Sequence, residues 1–130
     1  MPSAADFSKS RPIYKVCSQS DWNSIRMLDE WTGSTHDLRD GFIHFSAAHQ
    51  LAGTVGRHFA GQSNLMLISV DPDRLGAQLR WESSRDGDLF PHLYGPLPLS
   101  AVIETRDLIV NDKGLIEGVE PHVKSGIAKL

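Results

Sequence analysis

Histidine, glutamate, tyrosine and serine recur in this chain in short segments where apolar residues alternate with them. In Asp40-Gly41-Phe42-Ile43-His44-Phe45-Ser46 the imidazole of His44 stands between apolar neighbours. Such a group changes charge near neutral pH and either donates or accepts a proton. Glu82, beside Trp81, offers a carboxylate to activate a hydroxyl or orient an imidazole. His92 and Tyr94, in Phe90-Pro91-His92-Leu93-Tyr94-Gly95, add a second imidazole, a flat aromatic face and a phenol.

The elements that must position these groups read as strands, whose side chains alternate between two faces. Over residues 42–46, Ile43 and Phe45 take one face, and Phe42, His44 and Ser46 take the other. Leu79 and Trp81 likewise oppose Arg80 and Glu82, and Leu93 opposes His92 and Tyr94. Each segment therefore has one face suited to a core and one carrying polar groups. If the polar faces meet, His44, Ser46, Glu82, His92 and Tyr94 line one cleft, with Phe42 as an apolar wall. The helix start near Ala47 presents backbone N–H groups suited to phosphate. Taken singly, each of these residues is ordinarily a surface residue, and Glu82 has Arg80 and Arg85 as solvent partners. The site rests on their convergence.

Other chemistries find less support. His44 and His49 are five apart across a strand–helix junction, and His49 and His58 are nine apart on a helix. Neither spacing puts two ligands on one helical face, His36 and His122 fall in a loop and a tail, and no metal ligands are assigned. A Gly-x-Ser-x-Gly elbow is absent, so Ser46 reads as a helix cap beside a site residue. The phosphate-loop and dinucleotide glycine patterns are absent too, and Gly53, Gly56 and Gly61 suit close packing in or after a helix.

Along the chain, residues 1–11 read as a mobile leader and residues 13–16 as a first strand. Ser18 and Asp21 have capping-box spacing for a helix whose buried stripe is Trp22, Ile25 and Leu28. Residues 32–41 carry loop chemistry. Residues 47–60 form the clearest helix, with Ala48, Leu51, Ala52, Val55 and Phe59 on one face and Gly61 as its stop. Residues 65–70 read as a doubly buried strand. Residues 77–82 and 101–108 are further strands, Asp86-Gly87 suits a turn, and Pro91 places residues 90–95 at an edge or strand start. Residues 111–114 suit the turn of a last hairpin, and the final ten residues lack a packing pattern. The expected fold is α+β: a split mixed sheet of about six strands with two main helices, in one domain over 12–110 followed by a C-terminal extension, 111–130.

Composition sets wider bounds. The chain has 130 residues and a net charge of −3, so it lacks the basic footprint of an extended nucleic-acid surface. Cys17 is the single cysteine, which excludes an internal disulfide and favours a reducing compartment. No apolar run reaches a membrane span, and the expected location is the cytoplasm. Composition leaves the oligomeric state open.

The same blocks carry a resemblance. Residues 13–16, 40–46, Gln50-Leu51, Trp81-Glu82 and residues 90–95 resemble the hallmark blocks of a bacterial family, domain of unknown function 952, over about residues 12–108. Some members bear a glutathione S-transferase label, for which this chain shows no thioredoxin-like βαβ pattern. Through that family the chain is similar to ADP-ribosyltransferase-like proteins, whose split sheet binds NAD in a central cleft. On this likeness residues 41–46 match the second motif of those enzymes, with His44 in the place of a tyrosine that stacks on nicotinamide. The resemblance implies NAD or an ADP-ribose-like nucleotide as ligand or substrate, and glycosyl or phosphoryl transfer as the reaction. Together with the aligned polar faces, it makes His44, Glu82 and His92 the candidate catalytic residues, and Gly41, Phe42, Ser46 and Tyr94 the candidate ligand-binding residues. The ribose-gripping histidine or arginine of those enzymes falls here at Tyr14 or Lys15, and the motif around their late glutamate is not reproduced at Glu82. These departures favour the alternative of a non-catalytic binding or regulatory module. A metal-assisted hydrolase is the third reading.

Overall fold

The apolar run at residues 65–70 organises the molecule. The computed structural model of the chain describes residues 11–84, 87–110 and 116–117. In it β4 (Leu65–Val70) lies inside a four-stranded sheet of order β1-β4-β8-β9, with β1 at Ile13–Ser18, β8 at Val102–Val110 and β9 at Ile116–Glu117. Strand alternation sends Leu65 and Leu67 to one face and Ile68 and Val70 into the packing on the other. The first face meets Leu51 and Val55 of the helix α3 (Ala48–His58). The second meets Ile25 of α1 (Gln19–Ile25) together with two smaller sheets. One pairs β2 (Glu30–Trp31) with β7 (Leu97–Pro98). The other has the order β3-β6-β5, from β3 (Ile43–His44), β6 (Leu89–Leu93) and β5 (Leu79–Ser83). The central strand is thus buried on both faces.

Residues 43–46 join two of these sheets. Ile43 and His44 pair with Leu93 and His92. Two residues on, Ser46 and Tyr14 exchange backbone hydrogen bonds of 2.8 and 2.9 Å, so the strand crosses from the β6 edge to β1.

The molecule is α+β, as its pattern implies, but its strands are arranged differently from the expected split mixed sheet of about six. Among the described residues there are nine strands in three sheets, and every described pairing is antiparallel. Residues 32–41, expected as loop, contain the helix α2 (Thr35–Asp40). Ser34 Oγ accepts from the Asp37 N–H while Asp37 Oδ2 accepts from the Ser34 N–H, a complete capping box, and Gly41 ends the helix at φ 88°. Pro91 lies in the central strand of its sheet. Its carbonyl accepts from Phe45 N–H at 3.0 Å on the β3 side, and its ring nitrogen, which has no hydrogen, returns none, so this pair makes one ladder bond in place of two. Trp81, expected in the core, is 46 % exposed on the outer strand β5. Ser18 caps α1 as its spacing implies, but the helix ends at Ile25 and leaves Leu28 exposed. No described helix is long and apolar enough to cross a membrane. The expected leader, apart from Arg11, the turn residue Asp86, the 111–114 turn and the chain end lie outside the described residues.

Candidate functional site

The site begins with a cross-strand pair. His44 on β3 and His92 on β6 are direct partners, so their rings share one face, with centroids 5.6 Å apart. The Phe42 ring packs against both, at 4.6 Å from His44 and 4.1 Å from His92, and lies 5.1 Å from Tyr94. On β5, Arg80 stands opposite His92, and its guanidinium lies over the Tyr94 ring at 5.0 Å. Glu82 is two residues along the same face. Its Oε1 accepts from Tyr94 OH at 2.8 Å and lies 2.9 Å from His92 Nδ1. His44, Glu82, His92, Phe42 and Tyr94 therefore form one cluster, assembled by strand periodicity and register.

Each imidazole is held by a carboxylate. The hydrogen bond from His92, then that from Tyr94, keeps the Glu82 carboxyl below its ordinary range, and the carboxylate in turn pushes the Tyr94 phenol up. His92 thus donates through Nδ1 to an ionised Glu82. His44 Nδ1 lies 2.6 Å from Oδ1 of Asp37, whose side chain is 1 % exposed. Burial pushes the Asp37 carboxyl up, but the hydrogen bond from His44, the Lys15 charge and the Ser34 N–H outweigh it and hold it well below the carboxylate range. Lys15 Nζ lies 3.0 and 2.9 Å from the two Asp37 oxygens and 2.9 Å from the His44 carbonyl. Three acceptors match the three N–H groups of an ammonium. Burial lowers the Lys15 pKa and Asp37 raises it back in part. The result is a fixed chain, Lys15–Asp37–His44, that presents His44 Nε2 outward, 3.0 Å from Asp40 Oδ2.

His44 and His92 line a cleft of ≈ 1090 Å³, together with Lys15, Asp37, Ser46 and Arg57 among others. That volume suits a small-molecule ligand. Phe42, Glu82 and Tyr94 lie outside its wall and pack around His92. Ser46 is in the wall but does not cap α3. Its Oγ bonds Thr54 Oγ1 at 2.7 Å, and the cap position belongs to Ala47, whose N–H is taken by Gln50 Oε1 at 2.9 Å. Ser46 is drawn inward because its backbone is tied to Tyr14. Gly41 does not line the cleft and serves the backbone, as the left-handed end of α2. Sequence reasoning gave no site role to Asp37 or Asp40, set His36 aside as a loop residue, and named Lys15 only as one of two places for a ribose-gripping group. Ser34-x-x-Asp37 before Gly41 was the legible signal for a short helix there, but nothing local connects Lys15 to it.

The family model described as "Protein of unknown function (DUF952)" matches residues 16–105. Protein CC0527 from Caulobacter crescentus is similar over most of the chain. Its crystal structure shows 42% identity and a TM-score of 0.76, covering 82% of this chain and 93% of that one. Its solution NMR structure gives 39% identity and a TM-score of 0.74, covering 92% and 99%. No curated protein matches. On the family match and this likeness, the chain belongs to the DUF952 family of proteins of unknown function.

Proposed function

We propose that this chain binds an NAD- or ADP-ribose-like nucleotide along the cleft and transfers its ribosyl or phosphoryl group, on an ADP-ribosyltransferase-like fold. The supporting observation is the pair of carboxylate-held imidazoles, His44 with Asp37 and His92 with Glu82, packed against the single ring of Phe42. Groups held in this way are preorganised, which is what positioning and proton transfer require. In this reading His44 contacts the ligand and moves a proton. Glu82, kept ionised behind His92 and outside the cleft wall, stabilises through His92 the positive charge developing at the ribose. Phe42 or Tyr94, packed around His92 beyond the cleft wall, supplies a flat face for a base that extends past that wall, and Ser46 and Arg57 extend the wall along the cleft. His92 is 5 % exposed, which suits holding Glu82 better than touching substrate.

A second reading, a binding or regulatory module with the same cleft, draws on Lys15. The ribose-gripping place falls at Tyr14 or Lys15, and all the hydrogen-bonding capacity of Lys15 is spent on Asp37 and His44. The test is thermal unfolding of the wild type and of His44→Ala with NAD, ADP-ribose, nicotinamide, ATP and glutathione in turn. A ligand at a hundred times its Kd stabilises by about 2.7 kcal/mol, a shift of several degrees. The expected result is a shift with NAD or ADP-ribose that His44→Ala abolishes. No shift with any nucleotide overturns the proposal. A shift without turnover of NAD selects the module.

A further inference from the structure

At its outer edge the His44 chain meets two more groups. His36 and Asp40 stand at i and i+4 of α2, so their side chains emerge one turn apart on one helix face. Gly41 then reverses the backbone, and β3 brings His44 over the same spot. Asp40 Oδ2 lies 3.0 Å from His44 Nε2 and 3.5 Å from His36 Nε2, and the two rings are 4.6 Å apart. One nitrogen or oxygen from each residue lies within 4.8 Å of the others. Ligands of a tetrahedral ion with bonds of about 2.1 Å are separated by roughly 3.4 Å, so the two spacings from Asp40 are close to those of a loaded site, and the third, within 4.8 Å, is left for the two imidazoles to close.

Proton counting supplies an independent reason. His44 faces a carboxylate oxygen at both ring nitrogens, Asp37 at Nδ1 and Asp40 at Nε2. A neutral imidazole has one N–H and satisfies only one of them. The other contact sets a nitrogen lone pair against a carboxylate unless a proton or a cation lies between. The Nδ1 side is closed, because Asp37 is buried and anchored by Lys15 and by the Ser34 N–H. A carboxylate behind Nδ1 fixes the tautomer and strengthens Nε2 as a donor, the outer-shell arrangement typical of metal-bound histidine.

We infer that His36, Asp40 and His44 form a binding site for a divalent first-row transition ion, with Asp37 as the positioning residue behind His44. Two imidazoles and one carboxylate, without thiolate, suit zinc and its neighbours and not calcium or magnesium, which take oxygen shells. All three residues line the cleft, so the ion's remaining positions face the space a ligand would fill. Loading requires one rearrangement. Arg39 now donates to His36 Nδ1 at 2.6 Å, and its side chain, 70 % exposed, must swing into solvent so that His36 can turn its Nε2 lone pair to the ion. The inference does not rest on the nucleotide reading, and its test contains no nucleotide.

Untagged full-length protein, stripped with chelator, is titrated with Zn²⁺ by calorimetry and with Co²⁺ by visible absorption. The expected result is one equivalent of saturable binding with cobalt d–d bands. His36→Ala, on an exposed helix face where folding is not at stake, should weaken binding at least ~100-fold, because outer partners alone cost 10–100-fold. Asp40→Ala and His44→Ala should do the same, and Asp37→Asn should cost ~10–100-fold. His49→Gln, an exposed histidine outside the cluster, should leave binding unchanged. Absence of saturable binding, or binding that survives His36→Ala, overturns the site.

Discussion

Asp37 shows how much one side chain can carry without being chemically conspicuous. It caps its own helix, neutralises a buried lysine and holds His44 by its ring nitrogen. Asp37→Ala leaves the Lys15 ammonium buried and unpaired, and breaking such a pair costs about 3–5 kcal/mol. Denaturant unfolding should show a loss of that size. Glu82 stands at the outer end of the second imidazole. If the transfer reading holds, Glu82→Gln keeps its size and its bond from Tyr94 but removes the charge. Turnover of NAD should fall at least ~100-fold while binding weakens far less, read from single-turnover rates beside a binding titration. Cys17 gives the pH-dependent case. Burial pushes its thiol up to about 11. The reactive species is the thiolate, so native alkylation at pH 8 should be slow, rise toward pH 11, and reach the free-thiol rate on unfolding. The folded state then holds its proton where the unfolded thiol, with a pKa of about 8.5, has lost it. This contribution to stability is present below that pH and is lost as pH rises toward the folded value.

At the scale of elements, the short helix α2 and its two glycines set the geometry of the site. Gly41 has φ 88° and open space where a Cβ would stand. Gly41→Ala should cost only the left-handed penalty, about 1–2 kcal/mol. Gly33 has φ 107°, and a Cβ there would lie 2.7 Å from the Asp37 Cβ. Gly33→Ala should therefore cost clearly more and displace Asp37 from His44, visible as a change in the His44 ring resonances that Gly41→Ala does not produce. The strand elements explain why the polar faces meet. Period-two alternation predicts which residues share a face within β3, β5 and β6, and the antiparallel register sets those faces side by side.

At the scale of the molecule, two apolar clusters on opposite faces of one sheet support the site without contributing to its chemistry. Leu67, fully buried beneath α3, should cost about 2–5 kcal/mol as Leu67→Ala, in one cooperative transition by both far- and near-ultraviolet circular dichroism. The cleft lies where residues 43–46 pass from one sheet to another. Its wall therefore depends on Tyr14 of β1 as well as on β6.

Local pattern was enough for the α+β class, the buried strand at 65–70, the helix packed by Leu51 and Val55, and the polar faces carrying His44, Glu82, His92 and Tyr94. Each of these follows from periodicity within a few residues, which the chain carries in itself. Tertiary structure decided what sits behind and beside His44. Lys15 reaches Asp37 across twenty-two positions, and His36 reaches His44 only after a six-residue helix and a left-handed glycine reverse the chain. Such contacts come from the packing of separate elements, and no spacing along the sequence encodes them. Whether a histidine is a surface residue, a base or a ligand depends on what its second nitrogen meets, and at His44 that is set by the fold.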